Sequence, residues 1–245
     1  MGGGDNLDKR FSRNEMLIGE AGQRVLASAS VIVFGVGGVG SSAVESLARS
    51  GIGHITLVDK DVVDVTNINR QLLSTTQTVG KRKTSVQAER IYAINPDAEV
   101  TEIPMFYLPE NADEIDLSKY DYIVDAIDTV SAKIELAVRA QALGVPIISC
   151  MGTGNKLHPE ALIVSDIYKT RVCPLCRVMR RELKTRGVKS LKVVYSEEIP
   201  ITPTKSETSE TKHTPGSMPF VPPAAGFLMA SQVVLDLLSN TGGKQ

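Results

Sequence analysis

Short β-branched runs alternate along this chain with stretches whose apolar residues recur at helical spacing. Strands are predicted at 31–34, 54–58, 99–103, 122–124 and 146–149, and helices over 39–50, 81–94 and 132–143. The last two helices stop near Asn95-Pro96 and Gly144, residues at which helices readily end. Such alternation predicts an α/β fold: a doubly wound, Rossmann-like sheet with helices on both faces and a ligand crevice at the carboxyl ends of the strands. Beyond Cys150 the regularity fades. A strand over 162–167 and a helix over 173–185 are predicted, followed by a Pro-, Ser-, Thr- and Lys-rich loop over 200–223 and an apolar helix over 224–238. The expected organisation is a main domain over 10–165 and an irregular C-terminal extension over 166–245 packed on it.

Composition narrows the class. With 245 residues, 42% of them hydrophobic, and a net charge of -1, the chain can bury one sizeable core. Its cysteines are Cys150, Cys173 and Cys176, too few for a disulfide framework, which points to a reducing cytoplasm. Met1-Gly2-Gly3-Gly4-Asp5 has neither the basic start nor the apolar stretch of a secretion signal. The helix over 224–238 falls short of the roughly 20 residues that cross a bilayer and is interrupted by Gln232 and Asp236. It is expected to be a core helix and not a transmembrane segment, with attachment to a membrane surface left open.

The chemistry begins at Gly35-Val36-Gly37-Gly38-Val39-Gly40, directly after the first strand. Glycines at this spacing permit a tight turn (Gly35), close approach of a ligand to the backbone (Gly37, Gly38) and close packing of the next helix (Gly40). Phosphates then meet free N–H groups at the helix N-terminus. Asp59 ends the second predicted strand, where a carboxylate can accept hydrogen bonds from ribose hydroxyls. This much fits a nicotinamide or flavin enzyme. The following segment, Asp59 to Gln71 with Asp61 and Asn67 inside it, then supplies Arg70, and a predicted helix start supplies Lys83. Several cations suit a triphosphate, whose charge must be neutralised during displacement, better than a nicotinamide.

These residues resemble the ThiF-type adenylating superfamily, which activates carboxylates by attack on the α-phosphate of ATP. The resemblance runs from about Arg10 to Gly152. It implies that Asp59 holds the ribose, that Arg70 and Lys83 hold the phosphates, and that Asp128, in Asp125-Ala126-Ile127-Asp128-Thr129, binds Mg2+. Asp128 also suits the N-cap of the next helix. Arg13 matches the arginine that family members contribute to the other subunit of a homodimer. Asp61 and Asp64 are read equally as loop carboxylates or as functional ones.

The C-terminal third separates branches of that superfamily. Sulfur-carrier adenylyltransferases bind zinc through two Cys-x-x-Cys pairs, and tetrahedral zinc needs four ligands. Here Cys173-Pro174-Leu175-Cys176 has no second pair, and His158 and His213 lie in no ligand motif, so zinc is not expected. A vestigial or a redox pair is the reading, and Cys150 is read as structural. Around the pair run Lys169, Arg171, Arg177, Arg180, Arg181, Lys184, Arg186, Lys189 and Lys192, with Glu182 the one acid among them. Such a stripe suits an RNA backbone or forms a solvated helix face. The segments 173–187, 192–198 and 216–222 resemble bacterial tRNA threonylcarbamoyladenosine dehydratases. That resemblance implies ATP-dependent cyclisation of the modified nucleoside in tRNA, with a sulfur-relay protein as a further candidate partner. Alternatives are adenylation of a carrier protein ending in Gly-Gly and an NAD-dependent oxidoreductase.

Overall fold

Val31, Ile32, Val33 and Phe34 are all at 0% exposure, because β1 (Ser30–Phe34) lies in the middle of a seven-stranded sheet. The computed structural model describes residues 9–202, 208–209, 212–213 and 215–241. Around β1 lie β2 (His54–Val58), β3 (Glu99–Ile103), β4 (Tyr122–Asp125), β5 (Ile147–Cys150), β6 (Leu162–Asp166) and β7 (Lys192–Ser196), in the order β3-β2-β1-β4-β5-β7-β6. Every pairing is parallel except β6 with β7. Two further short strands, Thr208–Ser209 and Lys212–His213, pair with each other.

Side chains alternate across the sheet. Val31 and Val33 join a core with α2 (Gly38–Ser50), α3 (Lys83–Ile94) and α6 (Val221–Thr241), whereas Ile32 and Phe34 face α4 (Val130–Leu143). A third cluster seats α5 (Pro174–Thr185) through Cys176, Met179 and Leu183 against Val193 and Tyr195 of β7. The predicted strands and helices up to residue 150 are present with ends shifted by at most two residues. Besides the short strand pair within 208–213, two larger elements were not predicted. One is α1 (Ser12–Ser28), broken by a non-helical Gly19; the other is β7, which inserts between β5 and β6.

The final helix corrects two expectations. It begins at Val221 inside the predicted loop, with Pro222 and Pro223 in its first turn, where missing N–H groups do no harm. At 21 residues it is long and apolar enough to cross a membrane by length and composition. Its packing is that of a core element: Ala225, Met229, Ala230 and Val233 are fully buried. Asp236 accepts hydrogen bonds from Tyr122 Oη at 2.6 Å and Lys192 Nζ at 2.6 Å, tying the helix to β4 and β7. Residues 203–207, 210–211 and 214 of the predicted loop, and the His213 side chain, lie outside the described residues.

Candidate nucleotide site

The sheet changes direction of growth between β1 and β4, and the carboxyl ends of those strands open into a cavity of about 500 Å³. This is where open α/β sheets place their ligands. Gly35 takes φ +84°, and a Cβ there would meet Ala126 O at 2.7 Å. A Cβ on Gly40 would fall 1.8 Å from Gly35 O, so the turn and the first turn of α2 can coexist only as glycines. Gly35, Gly37 and Gly38 line the cavity; Gly40 does not, and its part is to seat α2 beneath them.

Asp59 secures the same turn. Its carboxylate accepts from Val36 N at 2.7 Å and from Asp61 N at 2.8 Å. Each carboxylate oxygen retains a further lone pair for a ribose hydroxyl. Asp64 caps the turn Val65–Asn67, while Asn67 Oδ1 accepts from Asp64 N at 3.1 Å. Asp64 does not line the cavity, and its carboxyl is held below its usual range chiefly by the Thr66 hydroxyl, so it is a loop carboxylate. The loop delivers Arg70, whose Nη1 donates to Thr66 O at 3.0 Å and Asn69 Oδ1 at 2.9 Å. Neither acceptor is a carboxylate, so the guanidinium keeps its full charge at the cavity wall. Gln71 is buried beside it with no hydrogen-bond partner at Oε1.

Lys83 is the first residue of α3, and its side chain is buried. Nζ lies 2.9 Å from Asp61 Oδ2, and both residues line the cavity. Opposite them the β4–α4 loop carries the exposed Asp128. The N-cap position of α4 belongs to Thr129, and no side chain caps that helix, so the capping alternative for Asp128 is not what forms. Among the described residues Asp128 accepts only from Thr129 Oγ1, at 3.4 Å, leaving its oxygens available to a hard cation. Arg13, exposed on α1, is not among the residues lining its own chain's cavity.

A family model described as the ThiF family matches residues 11–242. The chain belongs to the ThiF family. The tRNA threonylcarbamoyladenosine dehydratase of Bacillus subtilis is 42% identical over 242 residues, covering 94% of this chain and 95% of the relative. A crystal structure of Escherichia coli tRNA N6-threonylcarbamoyladenosine dehydratase in complex with AMP has a TM-score of 0.90 at 33% identity and covers 100% of both chains. The same enzyme in complex with ATP gives 0.88 at 32% identity, again over 100% of both chains.

Several features of this ThiF-family site escaped the sequence reading. The rim includes Lys60, whose Nζ sits 3.9 Å from the centre of the Phe106 ring, and Met151 to Gly154 after β5. The latter were findable, since ligand loops follow the carboxyl ends of strands. Beneath the floor Lys133 and Asp125 form an ion pair of 3.0 Å at 0% side-chain exposure. Lys133 Nζ also donates to Ile127 O at 2.9 Å, and Ser149 Oγ donates to Asp125 at 2.5 Å. Cys150 is buried, and burial pushes its thiol up to about 12, which suits the structural reading.

The basic stripe is narrower than its sequence. Glu197 pairs with Arg171 at 2.6 Å, Asp236 with Lys192, and Glu182 with both Arg181 and Arg186 at 2.9 Å. Arg180 is half-buried and donates to Thr170 O at 2.8 Å. Arg177, Lys184 and Lys189 are exposed and form no ion pair among the described residues.

Replacing Lys133 by Ala strands a buried carboxylate, and a loss of about 3–5 kcal/mol in urea-unfolding stability is expected. The double variant Asp125→Asn, Lys133→Met should recover much of it, since no net charge is then buried. A single variant within about 0.5 kcal/mol of wild type would show that the pair does not hold the floor.

Proposed function

We propose that this protein uses ATP to adenylate the threonyl carboxylate of threonylcarbamoyladenosine in tRNA, after which the modification's own ureido group closes on the activated carbonyl. A carboxylate oxygen attacks the α-phosphorus and pyrophosphate departs. The ureido group then attacks the acyl carbon and AMP departs, so the nucleoside has lost one water. The observation that carries this reading is the convergence of Arg70, Lys83 and Asp128 on one cavity floored by the Gly35–Gly40 turn. The activity named for the Bacillus subtilis and Escherichia coli relatives supports it.

The attacking groups both belong to the substrate, so the protein's task is positioning and charge stabilisation. In this reading Asp59 receives the ribose, and the amides of the glycine turn face the phosphates. Arg70 and Lys83 neutralise the charge that builds on the phosphoryl oxygens and the leaving pyrophosphate. Asp128 offers the oxygen donors that a hard divalent cation prefers, and Mg2+ held there would neutralise phosphate charge. Asn67 and Gln71 complete the wall, Gln71 with an unused buried acceptor.

The tRNA partner is assigned to the face of α5. Arg177 and Lys184 are seven residues apart and therefore share a helix face, and Leu175, two residues before Arg177 on the same helix, lines the cavity. The proposed setting is the cytoplasm, and the proposed assembly is a homodimer in which Arg13 serves the partner's cavity. Met16 and Leu17, 79% and 88% exposed beside Arg13, support an interface on α1. A sulfur-relay partner rests on family resemblance alone.

Incubation with ATP, Mg2+ and tRNA bearing threonylcarbamoyladenosine should yield a nucleoside one water lighter by mass spectrometry, and only with ATP. Adenylation of a Gly-Gly carrier protein instead would move the assignment to the sulfur-carrier branch. With the same substrates and labelled pyrophosphate, Arg70→Ala should slow pyrophosphate exchange into ATP by about 100-fold; a normal rate would remove Arg70 from the chemistry.

Replacing Arg177 and Lys184 with Ala should weaken tRNA binding and flatten its dependence on salt. Unchanged affinity would place the tRNA elsewhere. Finally, Arg13→Ala and Lys83→Ala are each expected to be inactive, yet to regain about a quarter of wild-type activity when mixed and allowed to exchange subunits. No recovery on demonstrated exchange would rule out action of Arg13 across the dimer.

A further inference from the structure

The nucleotide cavity and the basic face leave Cys173 and Cys176 without a role. Cys173 is the N-cap residue of α5 and Cys176 lies in its first turn, with Pro174 opening the helix. Residues three apart on a helix bring their Cβ atoms to about 5–6 Å, a separation that a small first-turn adjustment closes to disulfide range. Among the described residues the pair belongs to no group of three or more His, Cys, Asp or Glu that could hold a metal ion.

The two sulfurs are chemically unequal. Cys173 Sγ lies near the Cys176 thiol and near the backbone N–H groups of Cys176 and Gly152. Lys156, 3% exposed, adds a buried positive charge nearby and spends one hydrogen bond on Glu198 O at 3.1 Å. The Cys176 thiol first, and then these backbone N–H groups and the ammonium, draw the Cys173 thiol well below its ordinary range. Cys176 is driven the other way by the adjacent Cys173 sulfur and by burial, so it keeps its proton. A thiolate beside a retained thiol is the arrangement of an attacking and a resolving cysteine.

Two further observations set the pair apart from packed core thiols. Val172, immediately before Cys173, takes φ +66°, a left-handed conformation in which a β-branched residue is strained. Cys173 N donates to Arg171 O at 2.7 Å across it. Both sulfurs are buried, yet Gly152, whose backbone N–H lies near Cys173 Sγ, and Leu175, which lies between the two cysteines in sequence, line the nucleotide cavity. The cavity wall therefore adjoins the pair through these two residues.

We propose that Cys173 and Cys176 are a modification site: a dithiol that a hydroperoxide converts into an intramolecular disulfide in the cavity wall. The Cys173 thiolate attacks the peroxide oxygen, the O–O bond breaks, and the departing oxygen leaves as water or an alcohol after taking a proton. Cys173 is then a sulfenic acid. Cys176 attacks its sulfur, the S–O bond breaks, and the Cys176 proton leaves with the hydroxyl as a second water. One peroxide is reduced and two thiols are oxidised to one disulfide.

The full chain is treated with hydrogen peroxide, unfolded, alkylated and digested with trypsin, which releases residues 172–177 by cleavage after Arg171 and Arg177. The expected hexapeptide is two hydrogens lighter and unalkylated, and becomes doubly alkylated after prior reduction. Cys150→Ser should give the same product, and Cys176→Ser should leave a sulfenic acid on Cys173 that dimedone captures. A doubly alkylated hexapeptide after peroxide, or a bridge that involves Cys150, overturns the proposal, and the wild-type result decides it even where a variant does not fold.

Discussion

The ion pair between Lys133 and Asp125 is the constraint on which the site's geometry rests. At 0% side-chain exposure neither charge can be solvated, and each would be costly by several kcal/mol alone. The remaining capacity is met by Ser149 Oγ, Ile127 N and Ile127 O, which lie on β5 and on the β4–α4 loop. The pair therefore fixes the end of β4, the end of β5 and the first turn of α4 in one arrangement. That arrangement reaches the phosphate cradle, because Ala126 N donates to Phe34 O at 2.8 Å and Ala126 O lies where a Cβ on Gly35 would go. A shift of the 125–128 loop would move the glycine turn and Asp128 together.

Above this neutral floor the cavity wall carries three cations, Lys60, Arg70 and Lys83, and three carboxylates, Asp59, Asp61 and Asp128. These carboxylates are not equivalent. Asp59 is committed to two backbone amide dipoles and Asp61 to the Lys83 ammonium, so each already has a compensating partner. Among the described residues Asp128 has a hydroxyl alone. A polyphosphate would enter against the least compensated carboxylate, which explains why a bridging cation and the Asp128 position belong together in the proposed reaction. Arg70 is complementary: its bonds go to neutral oxygens, so its charge is not spent within the protein.

The strands up to residue 150 were legible because parallel strands covered on both faces show as short β-branched runs, and the glycine turn because its spacing has a steric reason. Asp59, Arg70 and Lys83 were legible from their positions after predicted elements and from their charge, whereas Asp128 was singled out by the family resemblance. Lys133 was not legible, since a lysine on an apolar helix face ordinarily reads as a boundary residue, and its partner is on a strand. The basic stripe was overread for the same reason. Glu197 and Asp236, which neutralise Arg171 and Lys192, come from 26 and 44 residues away and meet them only when β7 enters the sheet. Strand β7 itself hid behind charged neighbours, although its Val193, Val194 and Tyr195 are fully buried.

The last helix shows how one polar residue decides what a hydrophobic segment is for. Over Val221–Ser239 length and hydropathy satisfy the requirements of a membrane span. Asp236 would then carry a carboxylate into hydrocarbon, whereas in the fold it receives a phenol from β4 and an ammonium from β7. Those two strands are neighbours of β5 on opposite sides, so a single carboxylate spans three strands and sets the register of the helix against the sheet. With its end fixed there, the helix delivers Pro222 at its start to the cavity wall, next to the Ser217 carbonyl that Asn69 Nδ2 grips at 2.9 Å. The same helix that completes the core thus also contributes to the wall of the site, with Pro222 packed near Gly38.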